Sequence, residues 1–125
     1  MWTISGLADE IAGSLADGET DGHCLRLVRQ FLMDIKPAEA FRLIEDAPPP
    51  TGQEHWDAFL AGLAEFVAFG HGAKTPHWSV APERFLRSWW FVMPFPSLHG
   101  LAMVETPAAF ANRGVFIRRA SLVNV

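Results

Sequence analysis

Proline placement, more than any other feature of this sequence, limits the folds that the chain can adopt. Proline fixes φ and has no backbone N–H, so it interrupts helices and central strands. Residues 1–36 and 51–75 contain no proline, whereas the remaining stretches contain nine. Three of these, at 48–50, form a stiff spacer between the first two regions. We therefore expect helices over 1–46 and 51–70, and short irregular elements over 73–125.

The N-terminal region has two apolar stripes with the spacing of amphipathic helices. The stronger stripe begins at Cys24, and a turn-forming region at 18–22 separates it from a weaker one upstream. Pro37 favours the start of a short third helix that ends near Asp46, and we expect this helix to pack as a hairpin on the second. The stripe residues are Ile4, Leu7, Ala8, Ile11 and Leu15, then Cys24, Leu27, Val28, Phe31, Leu32 and Ile35, with Phe41 and Ile44 in the third helix.

The region after the proline spacer predicts one long central helix. Thr51 and Glu54 have the spacing of a capping box, in which each side chain bonds to a free backbone N–H of the helix start. Gly70 and Gly72 supply the left-handed conformation that commonly ends a helix. The buried stripe of this helix consists of Trp56, Phe59, Leu60, Leu63 and Val67.

The C-terminal region predicts only short elements. Pro82 suits the first turn of a short helix that continues toward Trp89. Thr106 suits the N-cap of another short helix, with Pro107 at its first position and Gly114 as its stop. Residues 98–104 and 115–117 fit strands and helical turns equally well. The predicted fold is mainly α: a small single-domain helical bundle over 1–125 with an irregular, proline-rich C-terminal part.

Composition excludes several classes of protein. Half of the residues are hydrophobic, and ten Phe and five Trp argue against intrinsic disorder. Cys24 is a single cysteine, so it cannot form an intramolecular disulfide, and the N-terminus does not resemble a signal sequence. We therefore expect a cytoplasmic protein. The longest apolar runs, such as 89–96, are far shorter than the ~20 residues that span a bilayer, so we expect no membrane partner.

Motifs for catalysis or for cofactor binding were not found in the sequence. His71 and His77 have no paired cysteines or carboxylates at ligand spacing, so we expect no metal site. There is no glycine-rich phosphate loop and no nucleophile elbow. Cys24 fits the buried stripe better than the role of a nucleophile. We accordingly expect no cofactor and no enzymatic activity.

The charge distribution separates the C-terminal region from the rest. Acidic against basic residues number 9 against 4 in 1–46, 3 against 0 in 47–72, and 2 against 6 in 73–125. The basic region also contains the aromatic segment 78–96, which carries Arg84 and Arg87. Trp, Phe and Arg are enriched where proteins bind partners, so this segment indicates either an irregular core or a binding surface.

Two smaller groups of residues in 73–125 also have both a structural and a binding interpretation. Trp89 and Trp90 are adjacent and are hard to bury together on a helix with one buried face, so we expect at least one of them to reach a surface or a second element. Arg113, Arg118 and Arg119 form either a solvated rim or a patch that binds anions and carboxylates.

Several segments of this sequence resemble segments found in a family of bacterial proteins. The runs PHWSVAPERFL at 76–86, WWF at 89–91 and TPAAFANRGVFI at 106–117, with PPPTG at 48–52 and LAGLAE at 60–65, are similar to those of small proteins encoded beside nucleotidyltransferase-like toxins. These toxins are of the abortive-infection and Men type. The resemblance covers about residues 20–125 and implies an antitoxin. Some members carry a fused DNA-binding domain, for which the acidic N-terminal region here is too short.

On this resemblance, we expect the chain to neutralise a nucleotidyltransferase toxin by direct binding. Its basic, aromatic face would dock on the acidic metal-binding cleft that the resemblance implies for the toxin. The candidate partner-binding residues are Arg84, Arg87, Trp89, Trp90, Arg113, Arg118 and Arg119. Two other functions stay open: a regulator that binds nucleic acid with the same face, and a small-molecule or enzymatic domain with a pocket beneath the tryptophans. Formation of a homo-oligomer is compatible with each of these three functions.

Overall fold

The computed structural model describes residues 2–92 and 95–122, and over these residues the protein is mainly helical, as predicted. The helices are α1 (Ile4–Ala16), α2 (Asp21–Asp34), α3 (Ala40–Ile44), α4 (Glu54–Gly70), α5 (His99–Glu105) and α6 (Ala108–Ala111), and the strands are β1 (Trp90–Phe91) and β2 (Val115–Phe116). Single turns of 3-10 helix occupy Pro37–Glu39, His77–Val80, Pro82–Arg84, Pro96–Leu98 and Arg119–Ser121. Over the same residues, no helix is both long enough and apolar enough to cross a membrane.

Helices α1 and α2 confirm the two N-terminal stripes. Thr3 caps α1 by accepting a hydrogen bond from the Gly6 N–H at 3.1 Å, and Thr20 caps α2 through the His23 N–H at 3.2 Å. Because Thr20 provides the cap, α2 begins at Asp21, within the region that was predicted to be a turn. The turn itself depends on Gly18, whose φ is +84°.

The third helix is shorter than predicted and packs elsewhere. It begins as the 3-10 turn at Pro37–Glu39 and continues as α3, which packs on α1 and α4. The predicted hairpin with α2 is wrong, because Ile35 and Lys36 have extended backbone and direct the chain away from α2. Phe41 was predicted to continue the apolar stripe, but it is exposed.

Helix α4 lies at the centre of the fold. All five stripe residues are buried as predicted, and so are Ala58, Ala61 and Ala64 on its other sides. A helix with buried residues on most of its sides must be surrounded, and α4 packs against α1, α3, α6 and β2. Helix α6 approaches so closely that a Cβ at Gly62 would lie 2.8 Å from Cδ1 of Phe110.

The predicted capping box at the start of α4 is wrong. The helix begins at Glu54, and no side chain caps it. The Thr51 hydroxyl and the Thr51 N–H instead both donate to Oδ1 of Asp57, each at 2.8 Å. The Thr51 oxygen also accepts from the Gln53 N–H at 3.2 Å. Thr51 therefore shapes the loop, and the Asp57 carboxylate anchors this loop to the first turn of α4.

The helix predicted to run from Pro82 toward Trp89 is also wrong. It stops after one 3-10 turn, because the chain then lies beside a later segment: the Leu86 N–H donates to the Arg113 carbonyl at 3.0 Å. The pairing continues as β1 and β2, which are parallel, with Trp90 opposite Val115. Of the two segments that the sequence left open, 115–117 contains a strand and 98–104 is largely helical.

Thr106 does not cap the next helix, as the sequence had predicted. Pro107 occupies the N-cap position of α6. The Thr106 oxygen accepts from the Ile117 N–H at 3.0 Å and also lies against the carbonyls of Ala102 and Ile117. The predicted stop is confirmed, since Gly114 follows α6 with φ at +80°.

Candidate functional site

Arg113, a candidate for partner binding, is an interior residue with only 1% of its surface exposed. Its guanidinium donates to Oε2 of Glu65 at 2.5 Å, to the Ala109 carbonyl at 2.7 Å and to the Ser79 carbonyl at 2.7 Å from Nη2. It also lies 4.9 Å from the centre of the Phe85 ring. The prediction of a surface role is therefore corrected, because every side of this guanidinium is used inside the fold.

Arg84 is likewise buried rather than presented to a partner. It donates to the Asp57 carbonyl at 3.1 Å and to the Pro48 carbonyl at 3.2 Å, and it lies over the Trp78 ring at 4.9 Å. Burial lowers the pKa of the guanidinium from its ordinary value. Arg84 thus ties the proline spacer to α4 and does not lie on an exposed face.

The two adjacent tryptophans lie on opposite faces of the small sheet, as alternation along a strand requires. Trp90 packs inward, with its ring centre 5.2 Å from that of Trp56. Trp89 is 63% exposed, and its ring packs edge-on against Phe116 at 5.0 Å. The expectation that one of the pair reaches the surface is confirmed.

Trp89 is the first of four rings that form a ladder on the outer face of the sheet. Phe116 stacks on Phe91 at 5.1 Å between centres, and Phe91 stacks on His99 of α5 at 3.9 Å. Contacts of this kind contribute about 0.5–1.5 kcal/mol per aromatic pair beyond burial, so the ladder is a preformed element. Its end ring, the Trp89 indole, packs on Phe116 while most of that side chain lies in solvent.

Five of the nine large apolar side chains that are exposed in the described residues belong to residues 89–104, the segment that also contains Trp89, Phe91 and His99 of the ladder. We call the C-terminal apolar surface the set consisting of Trp89, Phe95, Leu101, Met103 and Val104. The other exposed ones are Met33, Phe41, Phe69 and Val80, which lie on other elements. A concentration of exposed apolar side chains in one region is typical of an interaction site.

Exposed arginines lie at both ends of the sheet. Arg87 precedes β1 and Arg119 follows β2; since the strands are parallel, these two residues are at opposite ends. Arg118 is half-buried and forms an ion pair with Glu105 at 3.2 Å. In the part of the chain that the structure describes, neither Arg87 nor Arg119 has an ion-pair partner. The C-terminal apolar surface is therefore flanked by two unpaired positive charges.

Clefts near the tryptophans are open rather than enclosed. One of 310 Å³ is lined by Glu54, His55, Arg87 and Trp90, among others, and a groove of 470 Å³ lies between the start of α2 and β1. Among the described residues, no three His, Cys, Asp or Glu side chains lie where they could hold a metal ion. Shallow clefts with few converging polar groups are better suited to contact with a macromolecule than to enclosing a small substrate.

Cys24 is buried, and this burial, aided by the charges of Asp21 and Glu19, raises the pKa of its thiol to about 11. We expect alkylation near pH 8 to be at least about 100-fold slower in the folded protein than in urea, since the thiolate is the reactive form. Equal labelling rates with and without urea would show that Cys24 is accessible.

The raised pKa of the Cys24 thiol should also make the free energy of unfolding fall as pH rises from 9 toward 11. In this range the thiol of the unfolded chain loses its proton before the thiol of the folded chain does.

Sequence reasoning missed the contribution of α5. Its exposed side chains Leu101, Met103 and Val104 lie in the segment whose secondary structure was left open. Their signal was a run of four apolar residues at 101–104, which becomes informative only once the segment is known to be a helix with exposed side chains. Comparisons with protein-family models, with curated proteins and with solved structures found no match to this chain.

Proposed function

We propose that this chain is a protein-binding domain that acts as an antitoxin and neutralises a nucleotidyltransferase toxin by direct contact. The observation that carries the proposal is Trp89, which is 63% exposed at the end of an ordered ring ladder. A large ring that already packs on a neighbour loses little entropy on binding, and Trp is enriched among the residues that dominate binding energy. Trp89 is therefore the proposed anchor.

The electrostatics favour an acidic partner. From Arg87 to the C-terminus the sequence has four arginines and one glutamate. Arg113 and Arg118 are neutralised by Glu65 and Glu105, so Arg87 and Arg119 supply the outward positive charge. Such exposed charges mainly raise the association rate and select the partner, whereas apolar contacts supply most of the affinity. The acidic cleft that the resemblance implies for the toxin has the complementary sign.

Nucleic acid is the second candidate, since stacked rings beside arginines also suit single strands. Only Arg87 and Arg119 are exposed and unpaired on this surface, among the residues that the structure describes. Two phosphate contacts give a shallow dependence of affinity on salt, with a slope of about −1.4 for single strands. A steep slope in a single-strand binding assay would favour nucleic acid over the toxin.

The proposed function is tested by coexpressing the chain with the nucleotidyltransferase encoded beside it. We expect growth rescue and copurification with the unaltered chain, and association about tenfold slower for the Arg87→Glu, Arg119→Glu double variant at ~20 mM salt. The difference should shrink at ~500 mM salt, where such charges are screened. The matched control, Arg26→Glu with Arg42→Glu, changes two exposed arginines of the helical half and should associate normally. Absence of both rescue and copurification would contradict the proposal.

A further inference from the structure

Among the described residues, one edge of the two-stranded sheet has no backbone partner. The N–H groups of Trp90 and Val92 donate to the Gly114 and Phe116 carbonyls at 2.8 and 3.0 Å. Because backbone groups alternate between the two edges of a strand, the N–H and C=O of Phe91 point away from β2. Outside the sheet, no backbone group of residues 2–92 and 95–122 bonds to Phe91. Exposed strand edges of this kind are templates for a further strand.

The opposite edge of the sheet is covered, because Val115, whose backbone groups point outward from β2, is fully buried. The outward N–H of Ile117, just after β2, donates to the Thr106 hydroxyl at 3.0 Å, and the Ile117 carbonyl lies at the same distance from that oxygen. Thr106 belongs to the connection between α5 and α6, which therefore covers the β2 edge. A third strand can add to the sheet only along β1.

A groove runs along this open edge. It has a volume of 470 Å³ and lies between β1 and the first turns of α2. Its wall on the strand side consists of Trp90, Phe91, Val92 and Phe95, and Thr20, Asp21, Gly22 and Leu25 line the other side. The groove therefore combines a mainly apolar lining with the unbonded backbone N–H and C=O of Phe91. An extended peptide suits both features, because its backbone can bond to the strand while alternate side chains contact the apolar lining.

We propose that this groove receives an extended segment of the protein partner, which adds to β1 as a third strand. The inference rests on the proposed function in that the partner is a protein. Alternate side chains of the segment would contact Leu25 and Phe95, and its backbone would bond to Phe91. Main-chain bonds would supply affinity, and the pockets for alternate side chains would supply selectivity.

Charge complementarity specifies a basic segment. Asp21 is the single charged residue in the groove lining, and its Oδ1 already accepts from Nε1 of Trp56 at 2.9 Å. Asp17 and Glu19 precede it, and the first 25 residues contain five acidic residues and no Lys or Arg. A lysine or arginine in the bound segment would thus meet the Asp21 carboxylate in the groove, next to a connection in which Glu19 is paired with His23. A second copy of this chain is disfavoured, because symmetric pairing of β1 would bring the Asp21 carboxylates of both copies to the same seam.

Gly22 allows the groove to be blocked without disturbing the fold. It is exposed, and a Cβ placed on it meets only Oγ1 of Thr20, at 3.6 Å. The Gly22→Trp variant should fill the groove, and helical glycine is replaced at no cost in helix propensity. Gly13→Trp is the matched control, because Gly13 is an exposed helical glycine with nothing within 4 Å.

The test uses a capped heptapeptide of alternating lysine and valine as a probe, with amide NMR of the full chain. We expect shifts at Phe91 and Val92, affinity about tenfold weaker for the glutamate–valine peptide, and loss of binding in Gly22→Trp but not in Gly13→Trp. Peptide binding without shifts at Phe91, or binding that survives in Gly22→Trp, would overturn the inference. Shifts at Phe91 that depend on protein concentration alone would also overturn it, since they would assign the edge to a second copy.

Coexpression separates this inference from the proposed function. If Gly22→Trp still copurifies with the toxin at the level of Gly13→Trp, the groove proposal is wrong while the proposed function stands. If the unaltered chain does not copurify but binds the peptide at Phe91, the toxin is the wrong partner and the groove proposal stands.

Discussion

Replacing Arg113 with alanine should lower the free energy of unfolding by about 3–5 kcal/mol, the range found when one partner of a buried ion pair is removed. The substitution leaves the Ser79 and Ala109 carbonyls without their donor and the Glu65 carboxylate without its counter-charge. It also removes the group packed on the Phe85 ring. Because Glu65 is about one-third exposed, water will compensate part of the loss there, and we expect the lower half of the range.

Urea unfolding curves measure this effect. Arg113→Lys keeps the charge but has a single nitrogen in place of the planar guanidinium that bonds to Ser79 on one side and to Glu65 and Ala109 on the other, so it should fall between the unaltered protein and Arg113→Ala. Glu65→Gln should cost less than Arg113→Ala, because it leaves the bonds to the two carbonyls intact. A loss below about 1 kcal/mol for Arg113→Ala, typical of an exposed arginine, would contradict the interior role of this residue.

Replacing Trp89 with alanine should weaken toxin binding by about 2 kcal/mol or more, roughly thirtyfold, as expected for an interface anchor. The effect on folding should be small, because most of the indole is in solvent and it makes one ring contact, with Phe116. A large loss of affinity with little loss of stability is the signature of a residue exposed for binding.

Phe69→Ala is the matched control for Trp89→Ala. Phe69 is the most exposed aromatic residue in the described chain, at 89%, and it lies at the end of α4. Binding titrations of both variants against the toxin, alongside urea curves, separate the two effects. Equal affinities for Trp89→Ala and Phe69→Ala would show that the ring ladder is not the anchor.

The sequence predicted the helical half well because its information is local. Apolar spacing determines which face of α1, α2 and α4 is buried, and each face follows from residues within the same helix. The errors occurred where a distant contact competed with a local signal. Thr51 and Thr106 both have the pattern of an N-cap, but Asp57 and Ile117 provide their hydroxyls with other partners.

The candidate site was only partly predictable for the same reason. The adjacency of Trp89 and Trp90 was enough to predict that at least one of them reaches a surface or a second element. Nothing local distinguishes the interior Arg113 from the exposed Arg119, since the partner of Arg113 is Glu65, 48 residues away. The open edge of β1 depends on a parallel pairing between segments about 25 residues apart, which no short-range pattern encodes.

Amide hydrogen exchange of the chain, alone and with the toxin, tests the proposed binding surface most directly. We expect added protection over 86–92, 99–105 and 115–119, the segments that form the ring ladder and its flanks, and unchanged exchange over the exposed side of α1 and α3. Protection confined to α1 and α3, or none in any segment while the two proteins are bound, would contradict the account.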